Sequence, residues 1–456
     1  MTIIRRLFIL AWFAILLTAC APAPSNSNST VSSQPSPSPT ASPSPANSDA
    51  ASVQITLPLL DALLTDEKFA TRVKQNLKLS DQQIEELKRV SSADVARLRE
   101  SNAEDLDDSA TDAPRRAQEQ LRSTLGEEKA RELGRLANEY WSRGDTEGSN
   151  DTVQMLKGPN AVPSDTRVVV NIPAFRMDLF RDGSLVKSYK VGIGYPEFPL
   201  PLGLRKAQQI IFNPTWTPPD SPWVAKMNNV TPGETVKGGD KDNPLGPIKI
   251  PIGLPSLIHG GKSPAKIGKF ASHGCVGLTN AQIKDFATLL AQASNTQDVS
   301  NKIDSYLEDK EDTQTVKLNQ SVPVELRYET IVIEDGKLHI YKDVYAQDTN
   351  TEENLRRVLE AHGSRLEDLS EQQRTEILNA LNSMSAHPTA TASPPPDASP
   401  QKKQAKAKKP AKPSNEIVID LGTIAQKGYP APVNLDTGSG KLSSQPAKRA
   451  EPASQR

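Results

Sequence analysis

Two tracts rich in proline, serine and alanine divide this chain of 456 residues and limit how much of it can fold. Residues 21–50 form the first tract. Residues 387–415 form the second, which ends in QKKQAKAKKPAKPS with six lysines and no acid. Such segments carry too few apolar side chains to bury a core. Because only 36% of the residues are apolar and 37 are prolines, one continuous globule is excluded.

The first twenty residues have the pattern of an export signal. Two arginines precede an apolar run at residues 7–17, which is shorter than the ~20 residues of a membrane-spanning helix and fits a signal peptide. The run ends in LTAC, which resembles the lipobox of bacterial lipoproteins, where cleavage leaves a diacylated cysteine. The resemblance implies a signal peptide at 1–19 and lipidation of Cys20. An ordinary signal peptide with an incidental cysteine is the alternative.

The lipobox resemblance also implies a location. A lipid on Cys20 would anchor the protein in a membrane of the cell envelope, facing the periplasm. Ala21 stands where an inner-membrane retention signal usually has aspartate, so we expect the outer membrane in a cell that has two. Residues 20–52 are predicted to be a tether between the lipid and the folded part.

Helical patterns flank the middle of the chain. Within residues 53–150, Ser80 and Gln83 form a predicted capping box at the start of LSDQQIEELKRV. Residues 350–386 repeat the Leu-Ser-x-Gln-Gln opening and are predicted to form a helical hairpin. Neither module contains a catalytic constellation, so both are interpreted as spacers or docking modules. Residues 387–456 are predicted to be a disordered basic tail.

The sequence changes character at residue 164 and becomes rich in strand signals. β-Branched runs surround Asp182 and Gly183, a dipeptide that favours a tight hairpin. Turn-rich loops follow, and further strands are predicted at 248–258, 322–333 and 336–345. We therefore predict a mainly β domain over residues 164–346, flanked by small helical modules and disordered linkers, and of ordinary size for one domain.

One cysteine of this domain stands in SLIHGGKSPAKIGKFASHGCVGLTN, residues 256–280. Because lipid would block Cys20, Cys275 has no disulfide partner, and an unpaired thiol in an oxidising compartment is a candidate for reactive chemistry. A nearby imidazole lowers the pKa of a thiol and activates it. His259 and His273 are the candidate imidazoles, although an inert buried cysteine is the alternative.

The residues after the cysteine predict a helix start. Thr279 and Gln282 have the spacing of a capping box, so the positive end of a helix is expected near the sulfur, where it would lower the thiol pKa. Gly274 permits a tight turn that brings backbone N–H groups toward a reacting carbonyl. A zinc site built from the two histidines and Cys275 would lack the fourth ligand of a structural ion. A catalytic zinc with these three ligands is the alternative, but no carboxylate is dedicated to it. We therefore predict neither metal nor cofactor.

HGGKSPAKIGKFASHGCVGL resembles the signature of the L,D-transpeptidase (YkuD-type) catalytic domain, a histidine followed at a set distance by Ser/Thr-His-Gly-Cys. The resemblance extends over roughly residues 165–345 and includes two loops, VGIGYPEFPLPLG and NPTWTPP. It implies a β-sandwich or barrel with a few helices. It also implies substrate contacts from the loop residues Tyr195 and Trp216.

The resemblance further implies a role for each signature residue. Cys275 would be the nucleophile and His259 the proton donor and acceptor, oriented by the backbone carbonyl of Gly260. His273 and Ser272 would shape the site, and backbone N–H groups around Gly274 and Cys275 would bind the oxyanion. The protein would then be a cysteine acyltransferase that cross-links peptidoglycan stem peptides through a thioester and so serves cell-wall biogenesis and cell shape.

Gly277 departs from the family pattern, which usually has arginine or asparagine at this position. The departure leaves the acyl acceptor open between a second stem, an envelope protein, water and a free D-amino acid. Two alternatives therefore stand beside the transpeptidase: an L,D-carboxypeptidase or exchange enzyme on the same stems, and a degenerate lipoprotein that only binds peptidoglycan. An envelope protein could also serve as a docking partner. The formal net charge of −1 implies no nucleic-acid partner.

Overall fold

The structure is a computed structural model. It describes residues 55–101, 109–143, 154–219, 224, 227, 229–253, 256–388, 414–422, 424 and 427–439. The predicted signal peptide, Cys20, the tether and the lysine run of the tail lie outside the described residues, so their assignments stay predictions. Within the described ranges, no helix combines the length and the apolar character needed to span a bilayer.

Residues before the β domain form a bundle of helices. They are α1 (Leu57–Leu64), α2 (Glu67–Asn76), α3 (Asp81–Ser101), α4 (Ser109–Leu125) and α5 (Glu127–Arg143). The predicted capping box is present, because Ser80 and Gln83 exchange backbone and side-chain hydrogen bonds at 3.1 and 3.2 Å. The helices bury one apolar cluster that includes Phe69, Leu133 and Trp141, and we call this part the helical module.

The central domain is built on one eight-stranded sheet with the order β3-β2-β1-β10-β5-β6-β7-β9, and β4 pairs separately with β8. The strands of the domain are β1 (Arg167–Asn171), β2 (Arg176–Arg181), β3 (Ser184–Lys190), β4 (Ile193–Gly194), β5 (Gly203–Phe212), β6 (Ile248–Pro251), β7 (Leu257–His259), β8 (Phe270–Ser272), β9 (Val276–Gly277) and β10 (Gln314–Arg327). The predicted hairpin turn is confirmed, because Arg181 pairs with Ser184 across Asp182 and Gly183. Both turn residues have positive φ, as a tight two-residue hairpin turn requires.

One long helix, α6 (Asn280–Ala293), packs on this sheet, and the short helices α7 (Gln297–Ser300) and α8 (Ile303–Tyr306) follow it. The capping box predicted at its start is present, with Thr279 and Gln282 each accepting the other's backbone N–H. Ile283, Phe286 and Leu290 are buried in the core of the sheet. The predicted mainly β domain with a few helices is thereby confirmed.

A smaller layer, which we call the C-terminal layer, follows the central sheet. It consists of β11 (Ile331–Glu334), β12 (Lys337–Tyr341), α9 (Glu352–Ala361), α10 (Glu371–Met384) and β13 (Glu416–Asp420), with sheet order β11-β12-β13. Both helices occur within the predicted hairpin of residues 350–386, and they pack on this sheet through one shared apolar cluster.

The prediction of a disordered tail over residues 387–456 is wrong for its middle. Glu416–Asp420 pairs antiparallel with β12, and Ile419 and Leu421 are buried. Farther along, the backbone of Val433 and of Asp436 hydrogen-bonds to β3. The β-branched run Ile417-Val418-Ile419 in EIVID is a strand signal, but the polar composition of the surrounding tract conceals it.

Candidate active site

Cys275 lies in the tight connection between β8 and β9. Its backbone N–H donates to Ser272 Oγ at 3.1 Å, and the Ser272 hydroxyl donates in turn to the Cys275 carbonyl. Gly274, between them, has a φ of +90°, a left-handed conformation that glycine adopts without steric cost. The Ser-His-Gly-Cys sequence therefore forms a closed turn that presents the thiol, which is half-buried.

Parallel pairing of β7 with β9 brings the two ends of the sequence signature side by side. Ile258 lies opposite Val276 and His259 opposite Gly277, and the Leu278 N–H donates to the His259 carbonyl at 2.8 Å. The structure therefore places His259 on the strand that adjoins the one after Cys275. The sequence spacing alone could not show this register.

His259 is only 3% exposed, and burial lowers the pKa of its imidazole from 6.5 to about 3, with the Lys262 ammonium as the next cause. The imidazole is therefore neutral near pH 7, the form in which it can accept a proton. The backbone of Gly260 and of Leu245 acts in the opposite direction on this pKa. Among the residues that the structure describes, no acceptor meets Nδ1 with hydrogen-bond geometry, so the orienting role of Gly260 stays a prediction.

The thiol of Cys275 differs from the sequence expectation of a lowered pKa. Burial raises the pKa of the thiol, while the backbone N–H of Leu257 and the Lys262 ammonium lower it less strongly. Helix α6 begins five positions later, at Asn280. Burial therefore has the larger effect on this pKa, because removing the thiolate from water destabilises it more than the Leu257 N–H and the Lys262 ammonium stabilise it.

The structure gives a steric reason for the departure at Gly277. A Cβ at this position would lie 2.8 Å from Cγ and 2.9 Å from Cε of Lys262, closer than real Cβ contacts. The Lys262 side chain thus occupies the space over the Gly277 α-carbon. Sequence reasoning missed Lys262, and the signal that could have found it was a lysine three residues after His259 in a chain with glycine at 277.

The loop that contains Tyr195 covers the turn before the nucleophile. The Tyr195 N–H donates to the Ser272 carbonyl at 2.8 Å, and its hydroxyl accepts from Lys266 at 3.0 Å. The rings of Tyr195 and Phe198 lie 5.3 and 4.8 Å from the His273 ring, centroid to centroid. Tyr195 and His273 therefore belong to one cluster at the site, and their predicted roles remain predictions.

Glu197, in the same loop, connects the site to the helical module. Its carboxylate is 1% exposed and pairs with Arg116 of α4 at 2.7 Å, while Thr56 Oγ1 donates to its carbonyl at 2.7 Å. Burial raises the pKa of this carboxyl, and Arg116 lowers it less strongly. Sequence analysis did not identify this connection, because its residues lie far apart in the chain.

Trp216 packs in an apolar cluster of its own, apart from the main core of the domain. Its backbone pairs with Val236, and its ring belongs to an apolar cluster with Leu245, against which Leu257 packs. Trp216 is 9% exposed, so most of its surface serves packing. Its predicted contact with substrate stays a prediction.

A cleft of about 620 Å³ opens beside Tyr195. The central domain, the helical module and the C-terminal layer all contribute to its wall, and three lysines line it: Lys266, Lys269 and Lys342. Within the described ranges, no cluster of three His, Cys, Asp or Glu side chains has the arrangement of a metal site.

Comparison with known proteins connects this geometry to one enzyme family. Residues 165–310 match the family model described as the L,D-transpeptidase catalytic domain, YkuD. No curated protein matches the chain.

Several solved structures are similar to the same part of the chain. The catalytic domain of the E. faecium L,D-transpeptidase is 16% identical, with a TM-score of 0.24; the match covers 36% of this chain and 99% of that domain. An L,D-transpeptidase from Mycobacterium smegmatis is 14% identical over 36% of this chain and 58% of its own, with a TM-score of 0.22. L,D-transpeptidase 3 from Mycobacterium tuberculosis, solved with a faropenem-derived adduct, is 14% identical over 36% and 60%, with a TM-score of 0.21. The family match supports a YkuD-type L,D-transpeptidase catalytic domain within residues 165–310 of the chain.

Proposed function

We propose that this domain is a peptidoglycan L,D-transpeptidase that uses Cys275 as its nucleophile. The observation that carries the proposal is the parallel pairing of β7 with β9, which sets a buried, neutral imidazole beside the strand that follows the thiol. Covalent acyl transfer requires a general base close to the nucleophile, and this pairing brings the segment of His259 next to the segment of Cys275.

The proposed reaction has two halves. The sulfur of Cys275 attacks the carbonyl between the L-centre of the diamino acid and the following D-alanine, and its proton passes to His259. The C–N bond breaks, His259 returns the proton to the departing D-alanine amine, and a thioester remains. The amine of a second stem then loses a proton to His259 and attacks the thioester, which forms the cross-link and releases the thiol.

Backbone N–H groups around Gly274 and Cys275 are the proposed donors to the oxyanion. The Cys275 N–H donates to Ser272 Oγ, so an incoming oxyanion must share this donor with the serine. Replacing Ser272 with alanine should therefore release the donor but also loosen the turn.

The central test is muropeptide analysis by mass spectrometry. Purified peptidoglycan incubated with the wild-type protein should gain cross-links between two diamino acid residues and release D-alanine, whereas Cys275→Ala should do neither. D-alanine release without cross-links would assign the carboxypeptidase or exchange reaction instead. Binding of sacculi without any D-alanine release would assign the degenerate, peptidoglycan-binding alternative.

A second test uses the nucleophile alone. The faropenem-derived adduct of a similar enzyme motivates the expectation that penems and carbapenems acylate Cys275 here. Intact-mass spectra should show one adduct on the wild type and none on Cys275→Ala. An adduct that persists in the alanine variant would exclude Cys275 as the acylated residue.

We also propose that the protein is a lipoprotein of the cell envelope, anchored through Cys20. The support is the LTAC sequence after the short apolar run. Metabolic labelling with a palmitate analogue should mark the wild type and not Cys20→Ser. Equal labelling of both would refute the lipid anchor.

A further inference from the structure

Lys262 is a half-buried cation beside the nucleophile that the proposed mechanism does not use. Its side chain has no carboxylate within ion-pair distance among the residues that the structure describes. Burial lowers the pKa of its ammonium; the Cys275 thiolate acts in the opposite direction, and Lys266 lowers this pKa further. A partly desolvated ammonium without an acid partner is costly, so it calls for a functional explanation.

The backbone fixes where Lys262 lies. Its N–H donates to the Leu278 carbonyl at 3.0 Å, and Gly277 exchanges two hydrogen bonds with Gly192 at 2.8 and 2.9 Å. Gly277 is not among the residues with positive φ, so its conformation does not require glycine. A side chain at position 277 would instead have to displace the stem of Lys262, which lies over the Gly277 α-carbon.

A positive charge is needed to stabilise the Cys275 thiolate, and most of the nearby cationic groups do not supply it. His259 is neutral near pH 7 because burial lowers its pKa to about 3, so a resting imidazolium cannot stabilise the thiolate. Lys249 acts on His259 rather than on the sulfur, and Lys266 donates to the Tyr195 hydroxyl. Among the described residues, Lys262 is a cation whose charge acts on both the thiol and the imidazole.

We propose that Lys262 is a positioning residue of the active site, which lies over Gly277 so that its ammonium stabilises the Cys275 thiolate. The residue acts through the field of its charge and makes no bond to substrate. When the sulfur loses its proton, the S–H bond breaks and the proton passes to a base, which is His259 in the proposed reaction and water in the resting protein. Lys262 neither gains nor loses a proton in this step. The inference rests on the proposed function only in that Cys275 is the nucleophile.

The test measures thiol ionisation without any substrate. Iodoacetamide alkylation of Cys275 in the full-length protein is followed against pH, with the modified peptide quantified by mass spectrometry so that Cys20 does not interfere. Lys262→Met keeps the apolar stem and removes the charge. We expect the apparent pKa of Cys275 to rise by about one unit, which makes alkylation about tenfold slower at pH 7. Lys262→Arg should retain the wild-type profile.

Two further variants make the test specific. Lys269→Met removes an exposed lysine nearby and should leave the profile unchanged. Gly277→Ala keeps the lysine but puts a methyl group where its stem lies, so it should displace the ammonium and shift the profile in the same direction as Lys262→Met. An unchanged profile in Lys262→Met would overturn the proposal, as would an equal shift in Lys269→Met.

This experiment separates the inference from the proposed function. A wild-type protein that produces no cross-links and releases no D-alanine would refute the transpeptidase, while the thiol profile of Lys262→Met would still decide the role of the lysine. Conversely, an active enzyme whose thiol profile does not respond to Lys262 would refute the inference alone.

Discussion

Replacing His259 with glutamine should make the protein less sensitive to acid. The imidazole has a pKa of about 3 in the folded protein, against 6.5 as its ordinary value. Between these two pH values the unfolded chain binds a proton that the folded protein excludes, so acid favours unfolding. The stability due to the buried neutral histidine is present above pH 6.5 and is lost as the pH falls toward 3.

The magnitude follows from the two pKa values. Lowering the pH from 7 to about 4 should cost the wild type about 3 kcal/mol of unfolding free energy through His259 alone. Carboxylates that titrate in the same pH range also contribute to the pH dependence of the unfolding free energy. These carboxylate contributions are the same in the wild type and the variant, because His259→Gln leaves every carboxylate in place. The difference between the two proteins therefore isolates the imidazole.

Guanidinium denaturation, monitored by tryptophan fluorescence at several pH values, measures this difference. The wild type should lose about 3 kcal/mol more than His259→Gln between pH 7 and pH 4. Exposed His387 offers a matched control, and His387→Gln should follow the wild type. Parallel pH dependences of wild type and His259→Gln would refute the reasoning, because they would mean that His259 titrates alike in the folded and unfolded states.

Three further predictions concern the contacts around the site, the C-terminal layer and the general base. Arg116→Met leaves the buried Glu197 carboxylate without its partner and should lower the unfolding free energy by about 3 kcal/mol, the lower end for breaking a buried pair, because Arg116 is 25% exposed. Arg115→Met, which breaks only exposed pairs, is the control in denaturant melts, and equal losses of unfolding free energy in the two variants would contradict the prediction. Ile419→Ala should lower the unfolding free energy by about 2–4 kcal/mol because it leaves a cavity beside β12, and a loss below ~0.5 kcal/mol would mean that β13 does not pack there. If His259 is the base, the pH profile of kcat/KM should show no inflection near pH 6.5, the pKa of an unperturbed imidazole, and such an inflection would show that the base titrates as if exposed.

The features that sequence analysis identified correctly are local ones. The capping box at Thr279 and Gln282 joins residues three apart, and the turn at Asp182 and Gly183 joins adjacent ones. Such contacts depend on a few neighbouring side chains and on backbone conformations that those residues favour. The mainly β character of the central domain was readable for the same reason, since β-branched runs and turn dipeptides are local signals.

The strand in the tail shows where local signals fail. Glu416–Asp420 lies next to a long polar, lysine-rich tract, and its partner β12 is more than seventy residues away in the sequence. The pairing and the burial of Ile419 decide that it is a strand. Composition averaged over a window cannot show a partner that is distant in the chain.

The sequence by itself determined the chemistry available to the site: one unpaired cysteine in the domain, His259 and His273 near it, and a glycine in the turn before it. The tertiary structure decided how that chemistry is tuned. It aligned His259 with Gly277, lowered the pKa of the imidazole, raised that of the thiol, and laid Lys262 over Gly277. The physical reason is that the sequence gives the residue types directly, whereas desolvation and charge–charge distances arise only when distant segments pack together.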